Sequence, residues 1–170
     1  MDGGAVAVTS GAALEMTSST IHGNEGRGVM VAFGSDSNID QCTLTANSAN
    51  EDLLSWGGAI WLNGGSHTIT NSTIAGNTAL NGSGIGTNWS TSVSLVGCTI
   101  ANNTSSVSYG GALFGSYSDG DGRSISNTDF CGNLPYHMDD DFAAGDLGTN
   151  TIGGSCVWCS ADVDGSLTTG

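Results

Sequence analysis

Five stretches of this chain share one order of apolar and polar positions. They are Met16 to Asn24 (MTSSTIHGN), Ile39 to Asn47 (IDQCTLTAN), Ile69 to Asn77 (ITNSTIAGN), Leu95 to Asn103 (LVGCTIANN) and Ile125 to Asn133 (ISNTDFCGN). In each, a small residue follows the first apolar one by three places, a second apolar residue comes two further on, and asparagine three beyond that. The asparagines are 23, 30, 26 and 30 residues apart. A unit recurring at such spacing marks a repeat architecture, in which no single unit can bury its apolar face alone. Glycine-led apolar runs precede these stretches: GGAVAV at Gly3, GVMVAF at Gly28, GGAIWL at Gly57, GIGTNW at Gly84 and GGALFG at Gly110. Each repeat therefore predicts two short strands separated by turn-forming Gly, Ser, Asn and Asp. No segment has a sustained 3.6-residue apolar period with caps, so helix is expected to be scarce.

Short strands and tight turns at this spacing fit one coil of an all-β, single-stranded parallel β-helix, a solenoid of about five coils. Stacked coils align equal positions in columns. Two inward columns are expected: Met16, Ile39, Ile69, Leu95, Ile125, and Ile21, Leu44, Ile74, Ile100, Phe130. Small groups lie between them at Ser19, Cys42, Ser72, Cys98 and Thr128. Asn24, Asn47, Asn77, Asn103 and Asn133 are expected to form a ladder at a turn, where asparagine also tolerates left-handed backbone. The glycines that open each run are expected at tight corners. Residues 1–133 are assigned to the repeats and 134–170 to a C-terminal capping tail. The first coil then has an open strand edge, which implies a cap elsewhere in a longer protein or end-to-end self-association.

Charge narrows the partners. There are 16 carboxylates against two fixed cations, Arg27 and Arg123, for a net charge of −14. Such a polyanion is repelled by nucleic acid and by anionic lipid, so neither is expected as a partner. Acidity also keeps a Gly/Ser/Thr-rich β surface from pairing edge to edge. No run approaches the ~20 apolar residues of a membrane span. The start lacks the basic and apolar regions of an export signal, and it opens inside a repeat, as a piece of a longer exported protein would.

The five cysteines divide by position. Cys42 and Cys98 share the small column two coils apart, ~9–10 Å, too far for a bridge. They read as buried thiols. A Cys131–Cys156 disulfide would pin the tail to the last coil, and Cys156–Cys159 is the competing pairing. A bridge implies an oxidising, extracytoplasmic setting. The CxxC pair at 156 and 159 lacks a second pair or grouped histidines for zinc, since His22, His67 and His137 are scattered.

The GGAI-type opening followed by S-T-I-x-x-N resembles the repeats of chlamydial polymorphic outer-membrane proteins. More broadly it resembles the right-handed β-helices of the pectin-lyase-like superfamily, over roughly residues 3–133. The tail is similar to those closing β-helices in large bacterial surface proteins. The resemblance implies a right-handed coil and an extracellular or cell-surface location in a bacterium. Its lyases use a Lys or Arg to abstract a proton, often beside calcium. This chain has no lysine, so the resemblance favours a structural or adhesive surface module over an enzyme. A carbohydrate-active or carbohydrate-binding β-helix is the alternative, with a glycan or cell-surface component as the partner.

Candidate ligand-binding residues are Trp61, Asp119, Asp121 and Arg123. Asp119-Gly-Asp121-Gly-Arg123 is a compact acidic group suited to sugar or calcium, or else a solvated loop. No cofactor is expected, and calcium is the alternative that the acidic loops offer. Asp162-Val-Asp164-Gly165 begins such a loop without completing it. Asp36 and Asp40 read as isolated and solvated. Trp61 is placed level with Ala7, Val31, Thr87 and Phe114, a column that faces either the core or, with Trp56 and Trp89, a sugar-stacking platform. Thr20, Thr43, Thr73 and Thr99 form an outward file, the basis of a minor ice-binding alternative. No catalytic residue is assigned.

Overall fold

Strand-forming runs of two to twelve residues, broken by residues that accept left-handed backbone, make the chain turn and return on itself. The computed structural model describes residues 3–49, 56–107, 110–116, 122–135, 137–138 and 151–152. The first coil holds β1 (Gly3–Val8), β2 (Ala13–Thr17) and β3 (Thr20–His22), and the second holds β4 (Arg27–Val31), β5 (Asp36–Asp40) and β6 (Thr43–Thr45). The third holds β7 (Ile60–Thr70), β8 (Thr73–Ala75) and β9 (Thr78–Ala79), and the fourth holds β10 (Ile85–Val96), β11 (Thr99–Ala101) and β12 (Thr104–Ser105). The fifth holds β13 (Leu113–Ser116), β14 (Arg123–Ser126) and β15 (Asp129–Cys131), and β16 (Thr151–Ile152) follows.

The strands stack in parallel into walls. One sheet runs β1-β4-β7-β10-β13, joined at β7 and β10 by β2, β5 and β14. A second runs β3-β6-β8-β11-β15-β16, and β9 pairs with β12 in a third. Two strands per repeat was too few. In the third and fourth coils the glycine-led run and the next apolar run fuse into one long strand, and a short strand follows the asparagine.

The expected columns form. Met16, Ile39, Ile69, Leu95 and Ile125 lie in register and are buried. Ile21, Leu44, Ile74, Ile100 and Phe130 do the same on the second wall. The small column is also structural. Ser72 Oγ accepts the Cys42 N–H at 3.0 Å, and Thr128 Oγ1 accepts that of Cys98 at 3.3 Å.

Two bends close each coil. Ser18, Gln41, Asn71, Gly97 and Asn127 lie at φ between 46° and 66°, and Gly23, Ala46, Gly76, Asn102 and Gly132 between 54° and 67°. The ladder asparagines themselves are not among them. The residue before each takes the left-handed turn, and this frees the asparagine side chain to point inward. Asn47, Asn77 and Asn103 are fully buried. From Asn47 onward each ladder oxygen accepts both the backbone N–H and the Nδ2–H of the preceding coil's asparagine, as at Asn77 Oδ1 from Asn47 at 2.9 and 3.0 Å. The Nδ2 of Asn47, Asn77, Asn103 and Asn133 also donates to a carbonyl of the preceding coil, as from Asn77 Nδ2 to Leu44 O at 3.0 Å.

The ladder ends on a residue that the repeat pattern does not contain. Asn133 Nδ2 donates to Nδ1 of His137 at 3.1 Å, where a sixth asparagine oxygen would otherwise sit. His137 is buried and its ring lies 6.2 Å from that of Phe130. Its carbonyl accepts the N–H groups of Ala112 and Leu113, and Met138 covers the core beside it.

Candidate functional site

Strand period decides which face a side chain takes, and here it moves the Trp61 column. Trp61 pairs with Met30 and Gly86, and Gly86 with Phe114. Val31 and Thr87, expected level with Trp61, pair instead with Leu62 and are buried on the core side. The flanking residues Ile60 and Leu62 are fully buried, so Trp61 faces away from the core. This settles the choice of face in favour of the outer wall.

Gly86 explains what happens there. A Cβ at this position would lie 2.7 Å from Gly57 N, 3.1 Å from Trp56 Cβ and 3.1 Å from Trp61 Cε3. The missing side chain leaves a slot, and Trp56 fills it. Its ring centroid is 5.0 Å from that of Trp61 and 5.6 Å from that of Phe114, tilted by 58° and 53°. Such tilted pairs suit the ring quadrupoles. Arg27 donates from Nε to the Trp56 carbonyl at 2.7 Å and holds its guanidinium 5.9 Å from the Trp61 ring centre. The outer wall thus carries an aromatic strip across three coils, with a cation at one edge. Trp56, Trp61 and Phe114 are all half-buried. Two strand positions on from Trp61, Asn63 pairs with Asn88. The Oδ1 atoms of both are buried with no hydrogen-bond donor, as is that of Asn81.

The other candidates lie elsewhere. Asp119 and Asp121 fall outside the described residues, as do Asp162, Asp164 and the side chain of Trp89. Arg123 does not sit in a solvated loop. It opens β14 in register with Val93 and His67, and its side chain runs inside the coil, with Nη2 donating to Thr87 Oγ1 at 3.3 Å. Gly115 has no side chain because the guanidinium occupies that space. Arg123 and Trp61 therefore belong to opposite faces of the wall.

Asp40 is neither isolated nor bare. It accepts hydrogen bonds from Thr70, Asn71 and Gln41 at 2.5, 3.0 and 3.1 Å, and the Thr70 bond above all holds its carboxyl below the ordinary range. Asp36 accepts the Ser66 N–H at 2.9 Å. Both carboxylates tie one coil to the next. The threonine file at 20, 43, 73 and 99 faces out on strands three residues long. The file two places earlier is the left-handed bend, so no broad flat threonine face forms.

Sequence reading missed a buried serine–histidine pair. Ser37 Oγ donates to His67 Nδ1 at 2.9 Å, and His67 Nε2 donates to the Gly64 carbonyl at 2.8 Å. A carbonyl can only accept, so the proton sits on Nε2. The pair lines the solenoid interior and holds shape. Burial, more than any other influence, lowers the His67 pKa. Unfolded, the ring returns to about 6.5. The folded state then binds fewer protons, so stability is complete above that value and is lost as pH falls below it. The urea midpoint should fall between pH 7 and pH 5, and His67→Gln should flatten that slope.

Cys42 and Cys98 are free, buried thiols, and burial raises the Cys98 pKa. Cys131 is disulfide-bonded. Cys156 and Cys159 lie outside the described residues, and with them the choice of partner. Among the described residues no three His, Cys, Asp or Glu side chains group as metal ligands.

A family model described as the right-handed beta helix region matches residues 4–134. The chain belongs to the right-handed β-helix family. No curated protein and no solved structure matches it significantly. The family match covers every coil of this right-handed β-helix, including the strands that carry the aromatic strip.

Proposed function

We propose that this right-handed β-helix is a structural and adhesive segment of an exported surface protein, and that the Trp56–Trp61–Phe114 strip is where it holds a glycan. The observation that carries the reading is the outward placement of three large aromatic rings on a wall whose core is already filled by Ile60, Leu62, Ile85 and Leu113. Sugars present an apolar face that stacks on such rings. The disulfide at Cys131 supports an oxidising, extracytoplasmic location, and a bridge to Cys156 is the pairing that would pin residues 134–170 as a cap.

Screened against neutral and acidic glycans, the chain should retain at least one class. Trp61→Ala should weaken that binding by about tenfold, the scale of one lost aromatic contact. Binding unchanged in Trp61→Ala, or no glycan retained at all, would refute the assignment. Polysaccharide cleavage abolished by Asp121→Asn would replace it with an enzymatic reading.

A further inference from the structure

The aromatic strip has a length and a direction. Trp61, Gly86 and Phe114 are level on three successive coils, and such coils lie ~4.8 Å apart. Trp56 supplies the ring that Gly86 lacks, seated where a Cβ of residue 86 would come within 3.1 Å of Trp56 Cβ. The ring centroids accordingly step 5.0 Å from Trp61 to Trp56 and 5.6 Å from Trp56 to Phe114. One ring thus serves each coil, and the row follows the solenoid axis. It stops at Trp61, because the same column continues into Met30, which is buried, and then Ala7.

The rings are not coplanar. Trp56 is turned 58° from Trp61 and 53° from Phe114. A flat ribbon, whose sugars all share one plane, stacks on one of these rings at a time. A chain whose successive sugars turn about its own axis offers an apolar face to each ring in turn.

Charge narrows the ligand further. The sequence holds two fixed cations. Arg123 is buried inside the coil on Thr87. Arg27 gives its Nε proton to the Trp56 carbonyl and lies over the Trp61 ring, so it braces the platform. At a net charge of −14 the surface repels uronates and sulfated sugars.

Resting on the glycan reading of this strip, we propose that its ligand is an uncharged, twisted polysaccharide chain laid along the solenoid axis, with one sugar on each of Trp61, Trp56 and Phe114.

Calorimetric titration with xylo- and manno-oligosaccharides of two to six sugars tests this, since both series are uncharged. For the series that fits, affinity should rise about tenfold from disaccharide to trisaccharide, the scale of one stacked ring, and level off after the tetrasaccharide. In Phe114→Leu, which keeps apolar volume without the ring, the rise should stop at the disaccharide. Oligogalacturonates of equal length should bind at least about tenfold more weakly. Microcrystalline cellulose, a flat array of ribbons, should not retain the chain. Affinity independent of length, or the same length dependence in Phe114→Leu, would overturn the axial placement. Tighter binding of the acidic oligomers, retention on cellulose, or no binding of either neutral series would overturn the ligand class. The glycan reading itself survives each of these results if some glycan is still held and Trp61→Ala weakens it, and it falls with the proposal if none is.

Discussion

Replacing Asn77 with alanine should lower stability by about 3 kcal/mol or more, against about 1 kcal/mol for Asn24→Ala. Asn77 is fully buried and makes four side-chain hydrogen bonds: from Asn47 N and Nδ2, and to Leu44 O and Asn103 Oδ1. Truncation strands the two Asn47 donors and the Leu44 carbonyl where water cannot reach them. Each buried group left unpaired costs about 1–3 kcal/mol. Asn24 is half-buried and sits at the end of the ladder. Its side chain donates to Asn47 Oδ1 at 2.7 Å, an oxygen that also keeps the Asn24 backbone N–H. Urea denaturation of both variants at one pH measures the difference. Equal costs would mean that the ladder does not hold the coils together.

Phe130→Ala should cost about 3–5 kcal/mol, and Phe130→Leu less than about 1.5. Phe130 is the largest side chain buried in the second column, where the other coils use Ile or Leu. Its ring fills the space beneath His137, and that histidine receives the last ladder proton. Alanine would open a cavity and also remove the support of the capping ring. Leucine keeps most of the volume. If both variants lose the same stability, shape at the capped end matters little. If neither does, Phe130 is not part of the core.

The columns were legible because each coil repeats the same inward positions and errors in one coil are corrected by the next. Ile74 and Ile100 are identifiable from their spacing to asparagine alone. The Trp61 column was misplaced for a local reason. Aligning the runs on their leading glycines puts Gly28 and Gly84 level with Gly58, whereas Val29, Ile60, Ile85 and Leu113 are the true equals. A slip of one residue turns a strand over, so Val31 and Thr87 changed faces. Arg123 was unreadable because an arginine next to glycines and aspartates looks solvated, and only Gly115, vacant above it, marks the interior space it takes. His137 lies four residues past the last asparagine, in a segment with no repeat to align it.

The hydrogen bonds that join the coils lie along the axis of the solenoid, which fixes how it would answer to tension. A pull on the two ends of the chain does not shear all these bonds together. It peels the outermost turn, and each turn that comes away exposes the next to the same load. Such a rod resists compression and bending but lengthens under force by unspooling, one turn at a time.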